Sequence, residues 1–215
     1  TTKIGLGVIG FVLFFGSTWL LLFNIRNTYL REFPNEQFVS AIQHRKPFIL
    51  LTAAISALSG IFGSLLVKGI GWERLLSFLN QSSFGVRDPY FGRDISFFVY
   101  TLPMWNFIIG VLLFLVVAGT VVKLIFYSLR GLIKHSKRAQ RHLFISVTIG
   151  GALIALKYVL APYETALTTS VNWFQDSVVA GVSFTDKYVN IPFDYIMAVV
   201  SLIATLLVVL TVVRQ

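Results

Sequence analysis

Five long apolar runs constrain this chain more than any other feature of its sequence. Each covers the roughly 17 to 25 residues that a helix needs to cross about 30 Å of hydrocarbon at 1.5 Å per residue. Because backbone amides find no water partner inside a bilayer, such runs must form helices, and no alternating pattern indicates a barrel. The predicted spans are 4–23, 47–67, 104–127, 143–161 and 193–213.

The composition excludes an ordinary water-soluble domain. Hydrophobic residues make up 56% of the 215 residues, charged residues make up 13%, and the mean hydropathy is +0.78. We therefore predict an all-α fold, a polytopic transmembrane helical bundle with interfacial outer loops, in which residues 1–215 form one domain. Because the chain has no initiator methionine, we expect it to be a fragment of a longer protein. The absence of cysteine excludes disulfides and thiolate metal sites.

The net charge of +9 lies almost entirely between the apolar runs, where it predicts topology. Ten Lys and Arg residues fall in one set of alternate gaps and six in the other, so the ten-residue side is predicted to be cytoplasmic and residue 1 to lie outside. The same side is expected to attract anionic lipid headgroups, and no nucleic-acid fold accompanies the charge. The ten are Arg26, Arg31, Arg45, Lys46, Arg130, Lys134, Lys137, Arg138, Arg141 and Arg214.

Prolines mark predicted helix starts. Pro47, Pro103 and Pro192 each fall where a helix is expected to begin and where a missing N–H is harmless, and no proline falls inside a predicted span. Asn190 is predicted to cap the last helix.

Gly5, Gly7 and Gly10 have the G-x-G-x-x-G spacing of a dinucleotide-binding turn. Since no strand precedes them and they open a membrane span, close helix packing is the better interpretation. A similar small-residue face is predicted from Ser56, Gly60 and Ser64, and another from Ser146 and Gly150. Ordinary use of Gly and Ser in membrane helices is the alternative.

Two lysines, Lys123 and Lys157, are candidate intramembrane charges. Each lies four residues before the end of its predicted span, so we favour snorkelling of the side chain to the headgroups over a functional role inside the bundle. Asp194 is the one acidic residue within the predicted spans, at a helix end.

The segment 80–103, called the FGRD segment here, contains one phrase twice and is the candidate structural or interaction loop. Glycines permit sharp turns, Arg and Asp can pair, and aromatic rings suit a bilayer surface or a neighbouring domain. A cation site on the two aspartates is the alternative, although it needs more oxygen ligands. The repeated residues are Phe84, Gly85, Arg87, Asp88 and then Phe91, Gly92, Arg93, Asp94.

No pattern in the sequence predicts a cofactor, a metal or an enzyme. His44, His135 and His142 fall among basic residues without zinc-site spacing, and no nucleophile elbow or phosphate-binding loop is present. Sugar chemistry would require two carboxyl groups roughly 5 to 10 Å apart. The available outer carboxylates are Asp88, Asp94, Glu164, Asp176 and Asp186.

Two loops carry a resemblance to a known family. FGVRDPYFGRDISFFVYTLP at 84–103 and GVSFTDKYVNIP at 181–192 resemble the best marked stretches of uncharacterised protein family 0182, which comprises large bacterial multi-pass membrane proteins. The resemblance implies helices two to six of a seven-helix membrane domain that precedes a large extracytoplasmic domain. It implies no activity for any residue.

Two functions remain open. The leading hypothesis is an anchoring or assembly role for an extracytoplasmic domain or protein partner at the bacterial cell envelope, with the chain in the cell membrane. The rival is a transporter or channel subunit, motivated by Lys123, Lys157 and the small-residue faces.

Overall fold

The computed structural model describes residues 2–33, 45–165, 167, 169–172, 177–180 and 182–213, so His44 and Arg214 lie outside the described residues. The described part contains six α-helices and one pair of short antiparallel strands. The helices are α1 (Thr2–Glu32), α2 (Arg45–Leu79), α3 (Leu102–Leu129), α4 (Leu132–His135), α5 (Lys137–Thr165) and α6 (Ile191–Val213). The strands are β1 (Thr169–Asn172) and β2 (Ser177–Ala180), paired with Thr169 opposite Ala180.

Among the described residues, five helical segments are long and apolar enough to cross a membrane. They are Lys3–Glu32, Lys46–Gly69, Phe97–Leu129, Lys137–Thr165 and Asp186–Thr211. The predicted all-α, five-span fold is therefore confirmed, and the short β1–β2 strand pair is an addition to it.

The helices extend beyond the predicted spans. Helix α1 continues to Glu32 instead of 23 and α2 continues to Leu79 instead of 67, because loss of apolarity marks the edge of the hydrocarbon and does not stop intrahelical hydrogen bonding. The basic stretch at 130–142 was predicted as a gap, yet it contains α4 and the first turns of α5. Gly131, in the left-handed conformation with φ +65°, separates α3 from α4.

Prolines also differ from the prediction. Pro162 lies inside α5, which runs on to Thr165, so the predicted end at 161 was wrong. Pro103 and Pro192 do not begin their helices. Each follows a π-helical turn, Phe97–Thr101 or Asp186–Asn190, that is continuous with the next α-helix. A proline cannot donate to the carbonyl four residues back, and a local shift to wider π-type bonding accommodates the missing donor.

The helix entries before these two prolines share one design. Asp94 caps the first, since its Oδ1 accepts the Ser96 N–H at 2.8 Å. Ser183 caps the second, since its Oγ accepts the Asp186 N–H at 3.2 Å while Asp186 Oδ2 accepts the Ser183 N–H at 3.0 Å. Asn190 was wrongly expected to be the cap. It lies within the π-helical turn and its amide donates to Asp186 Oδ1 at 2.7 Å.

The chain forms two compact units, each of which combines two stretches of sequence. Unit 1 comprises Thr1–Trp72 and Phe114–Val147, and unit 2 comprises Glu73–Leu113 and Thr148–Gln215. The expectation of a single domain over residues 1–215 stays a prediction.

In unit 1, α1 and α2 pack closely through small residues. A Cβ placed on Gly10 would lie 2.5 Å from the Gly63 carbonyl oxygen, and one placed on Gly7 would lie 3.0 Å from Ser64 Oγ. A Cβ on Gly5 would meet no atom within 4 Å. Close packing thus explains two of the three glycines of the G-x-G-x-x-G pattern. Gly63, which was not singled out from the sequence, also lies against α1, since a Cβ placed on it would lie 2.3 Å from the Phe14 ring.

A cluster of polar and aromatic residues lies elsewhere in unit 1, where α1 ends and α5 begins. The Tyr29 hydroxyl donates to the Phe126 carbonyl. Ser136 is 1% exposed and serves two elements, since its hydroxyl donates to Glu32 Oε1 at 2.6 Å and accepts the Ala139 N–H at 3.2 Å. The cap of α5 is therefore tied to the end of α1.

Candidate functional site: the FGRD segment and its surroundings

The Asp94 carboxylate is the centre of the FGRD segment. It accepts the Ser83 hydroxyl at 2.5 Å and the N–H groups of Phe84, Gly85 and Ser96 at 3.2, 3.1 and 2.8 Å. The bond from Ser83 and those from Ser96 hold the pKa of Asp94 well below its usual range. One ionised side chain thus joins the start of the loop to the helix that follows it.

Asp88 organises the turn between the two copies of the phrase. Its Oδ2 accepts the N–H groups of Tyr90 and Phe91 at 2.9 and 2.6 Å, and its carbonyl accepts the Gly92 N–H at 2.9 Å. The Asp88 N–H donates to the Arg93 carbonyl at 2.7 Å. These bonds make an Asx turn that closes a short antiparallel bridge between the flanking residues.

The two repeated glycines both adopt the left-handed backbone conformation. Gly85 has φ +69° and Gly92 has φ +65°. This conformation costs an L-residue roughly 1–2 kcal/mol, so glycine is needed where each copy of the phrase turns. The two copies of the phrase thus share a backbone conformation at their glycines as well as their residue types.

The arginines of the phrase do not pair with its aspartates. Across the described residues 80–103, neither Arg87 nor Arg93 makes an ion pair with Asp88 or Asp94. Arg93 instead lies over the ring of Phe97, with its guanidinium carbon 5.3 Å from the ring centre. The predicted Arg–Asp pairing is replaced by backbone pairing of Arg87 with Asp94.

Tyr163 anchors the segment to the end of α5. Its ring centre lies 4.7 Å from that of Phe91, 5.2 Å from Phe97 and 6.3 Å from Phe98. Phe98 is buried, and Tyr90 packs edge-on against Phe91 at 4.8 Å. Tyr163 was not singled out from the sequence, because α5 was predicted to end before it.

Lys157 has specific polar partners within unit 2. Its ammonium group donates to Asn106 Oδ1 at 3.0 Å and forms an ion pair with Glu164 Oε1 at 3.0 Å. Lys157 lies eight residues before the end of α5, about 12 Å of rise, and not four as predicted. Glu164 lies two turns further along the same helix face, and the shorter predicted span had placed it in a loop.

Lys123 lies in unit 1, whereas the FGRD segment belongs to unit 2. Its ammonium group donates to Ser146 Oγ at 2.5 Å, and the Ser146 hydroxyl donates in turn to the His142 carbonyl at 3.0 Å. The two candidate lysines therefore belong to two separate polar groups. Whether either snorkels to headgroups stays a prediction.

The carboxylates of the FGRD segment accept hydrogen bonds from within the segment. Within the described residues, no three His, Asp or Glu side chains converge as a metal site would require. The oxygen atoms of Asp94 and Asp88 face N–H and O–H donors, which compete with any cation for the same lone pairs. The segment is a hydrogen-bonded loop fastened to α5 by aromatic contacts.

Comparison with known proteins agrees with the resemblance seen in the two loops. The model of uncharacterised protein family UPF0182 matches residues 1–215. The chain belongs to this family. The family assignment made from residues 84–103 and 181–192 is confirmed.

Curated UPF0182 proteins of several bacteria are similar to the chain. The UPF0182 protein of Arthrobacter sp. (strain FB24) is 33% identical over 152 residues, which are 67% of this chain and 14% of the relative. Those of Micrococcus luteus and Kocuria rhizophila are 31% and 32% identical over 76% and 74% of this chain, and 16% of each relative. The chain thus spans about one sixth of the length of these relatives. No solved structure shows a significant match to it.

Proposed function

We propose that this chain is a membrane-anchoring and assembly domain, whose helices hold the FGRD segment in place for an extracytoplasmic domain or protein partner at the bacterial cell envelope. The supporting observation is that both FGRD carboxylates are engaged by internal donors. Asp94 binds the Gly85 N–H, and Asp88 binds the Phe91 N–H. Carboxylates used in this way fix a surface and do not act as a general base.

The fixed loop presents aromatic side chains. Phe84 is 50% exposed and Tyr90 is 40% exposed, and Phe184, at the second capped helix entry of unit 2, is 80% exposed. Aromatic residues are enriched in the centres of protein interfaces, and holding them on an ordered backbone lowers the entropy lost on binding. Such a surface favours a protein partner.

A transporter or channel subunit is the second candidate. The group formed by Lys157, Asn106 and Glu164 favours it, because charges and amides within membrane helices commonly mark transport pathways. The Lys157 and Glu164 side chains are 42% and 40% exposed, which equally suits an ion pair near a helix end.

Site-specific photocrosslinking tests the anchoring role. A benzophenone amino acid replaces Phe84 in the full natural-length protein within its native membrane, and the matched control carries it at Leu50, which is 71% exposed on an apolar helix. We expect Phe84 to give a discrete protein adduct, either to another region of the same protein or to a partner. Leu50 should give lipid adducts.

A flux assay in proteoliposomes separates the two candidates. We expect no solute or ion flux that differs between the wild type and the Lys157→Gln variant. Flux that requires Lys157, together with only lipid adducts at Phe84, would overturn the anchoring role in favour of transport.

A further inference from the structure

Two polar contacts join α3 to α5 within unit 1. The Tyr127 hydroxyl lies 3.0 Å from Nδ1 of His142. One turn earlier in α3, the Lys123 ammonium group donates to Ser146 Oγ at 2.5 Å. The residue numbers fall along α3 as they rise along α5, so the two helices are antiparallel here. Tyr127 and Ser146 are buried, which leaves Lys123 and His142 as the partly exposed members of the two contacts.

The charges that act on His142 from the described residues are all positive. Arg138 precedes His142 by one turn of α5, and Arg141 is its direct neighbour. Both arginines and Lys123 lie close enough for their charges to act on the His142 ring. Within the described residues, no Asp or Glu forms an ion pair with any of these three cations. Lys123, Arg138 and Arg141 are called the cation cluster below.

The cation cluster lacks a counter-charge where one has most effect. Lys123 lies within Phe97–Leu129, one of the segments apolar enough to cross a membrane, and an uncompensated cation there is costly. Its hydrogen-bond partner Ser146 is neutral. The Glu32 carboxylate, at the end of α1, accepts the hydroxyl of Ser136. An anion from outside the described residues would therefore stabilise the cluster.

The surroundings of Lys123 favour a lipid anion over a soluble one. A soluble anion would have to leave water to reach Lys123 across an apolar surface, whereas a phospholipid carries hydrocarbon chains that fit this surface. Arg138 and Arg141 lie nearer the start of α5, and guanidinium groups bind phosphate through paired hydrogen bonds. A zwitterionic headgroup would bring a further cation to the cluster, so a net negative headgroup is favoured. The exposed apolar residues near the Lys123–Ser146 contact are Val121, Leu124, Ile125, Ile145 and Val147.

We propose that the cation cluster binds the phosphate of an anionic phospholipid, with Lys123 as its deepest contact. The acyl chains lie along the exposed apolar residues of α3 and α5. The site is independent of the anchoring role, because its residues belong to unit 1 and the FGRD segment belongs to unit 2. It gives the general attraction of the basic stretch for anionic headgroups a defined position on the protein.

Native mass spectrometry of the natural-length protein in detergent tests the site. Phosphatidylglycerol and phosphatidylcholine with identical acyl chains are added at equal concentration, and the ratio of the bound forms is measured. We expect the wild type to prefer phosphatidylglycerol. Each basic residue near the phosphate contributes roughly a fivefold preference, so Lys123→Gln should reduce the ratio about fivefold and Arg138→Gln with Arg141→Gln about twenty- to thirtyfold. Lys123→Arg keeps the charge and should retain most of the preference.

A matched variant and a soluble competitor separate this site from general effects. Lys134→Gln with Lys137→Gln removes two charges from exposed positions that do not act on His142, and it should leave the ratio within about twofold. Glycerol phosphate, which carries a phosphate without acyl chains, should not displace the bound lipid even in large excess.

Three results would overturn the proposal. The first is equal binding of the two lipids by the wild type, for which folding of a variant is not in question. The second is a loss of preference in the Lys134/Lys137 variant as large as that in the Arg138/Arg141 variant, which would indicate attraction by net charge alone. The third is displacement of the lipid by glycerol phosphate, which would indicate a site for soluble anions.

Discussion

Single residues account for the order of the FGRD segment. Asp94 joins Ser83, Gly85 and Ser96 with one carboxylate, and the two glycines supply the left-handed turns that these bonds require. Asp88 has the same place in its copy of the phrase but holds only its own turn. The two aspartates therefore have different roles although they occupy equivalent positions in the repeated phrase, because their neighbours differ.

Asp94→Asn should loosen the start of the segment. An amide keeps the size of the side chain but loses the charge that strengthens its bonds to N–H and O–H donors. We expect faster hydrogen exchange at the amides of Phe84 and Gly85, measured by mass spectrometry in detergent. Asp88→Asn is the matched control, and it should affect Tyr90 and Phe91 instead.

The lowered pKa of Asp94 sets the pH range over which its hydrogen bonds protect the start of the FGRD segment from hydrogen exchange. A carboxylate with a lowered pKa contributes fully above its ordinary value of about 4 and loses the contribution as the pH falls below it towards the folded-state value. Protection of Gly85, corrected for intrinsic exchange, should thus be unchanged between pH 7 and 5. A loss of protection over that interval would contradict Asp94 as the centre of the loop.

The close approach of α1 and α2 depends on small residues at particular positions along each helix. In α1, Gly7 and Gly10 face α2, whereas Gly5 and Gly16 have no neighbour within 4 Å of an added Cβ. In α2, Gly60 and Ser64 belong to the predicted face, but a Cβ added to Gly63 would come closer to α1, at 2.3 Å from the ring of Phe14, than one added to Gly60, at 2.8 Å from Phe11. Four-residue spacing indicates a face, and only the packed pair shows which members touch.

Gly10→Val should destabilise the α1–α2 pair. Its Cβ would lie 2.5 Å from the Gly63 carbonyl oxygen and 2.9 Å from Val67 Cβ, so the helices must separate. Overpacking of this kind costs about 1–3 kcal/mol. The measurement is thermal unfolding in detergent followed by circular dichroism. Gly16→Val, the same change in the same helix, should leave the midpoint nearly unchanged, and equal midpoints for the two variants would contradict the close packing.

The whole chain is a membrane-type helical protein of family UPF0182 with two compact units. It spans about one sixth of the length of its curated relatives, so the proposed anchoring role has to be tested in the natural-length protein. The direction of insertion depends on the ten-to-six distribution of Lys and Arg and stays a prediction.

Cysteine labelling tests this direction, and the absence of cysteine from the 215 residues gives a clean background within them. Val86→Cys lies in the FGRD segment and Lys134→Cys lies in the basic stretch, and both positions are exposed. On intact cells, a membrane-impermeant maleimide should label Val86→Cys and leave Lys134→Cys unlabelled until the cells are opened. The reverse pattern would invert the predicted topology.

By itself, the sequence determined the helical membrane class, the number of long apolar helices and the family. Hydropathy is a local property, so long apolar runs can be identified without knowledge of the tertiary structure. The FGRD phrase is specific enough to identify the family. It also located the loop whose two glycines adopt the left-handed conformation and whose two aspartates accept backbone hydrogen bonds.

Only the tertiary structure decided which residues meet. The ends of the helices, the clamp of Asp94 on Ser83, the contact of Tyr163 with Phe91 and the partners of Lys157 depend on side chains from distant parts of the chain. An apolar groove within unit 1, lined by residues of α1, α2 and α3, likewise depends on three helices that no local pattern relates. Hydrophobicity drives a segment out of water without direction, whereas hydrogen bonds and steric fit are directional and exist only once the helices have packed.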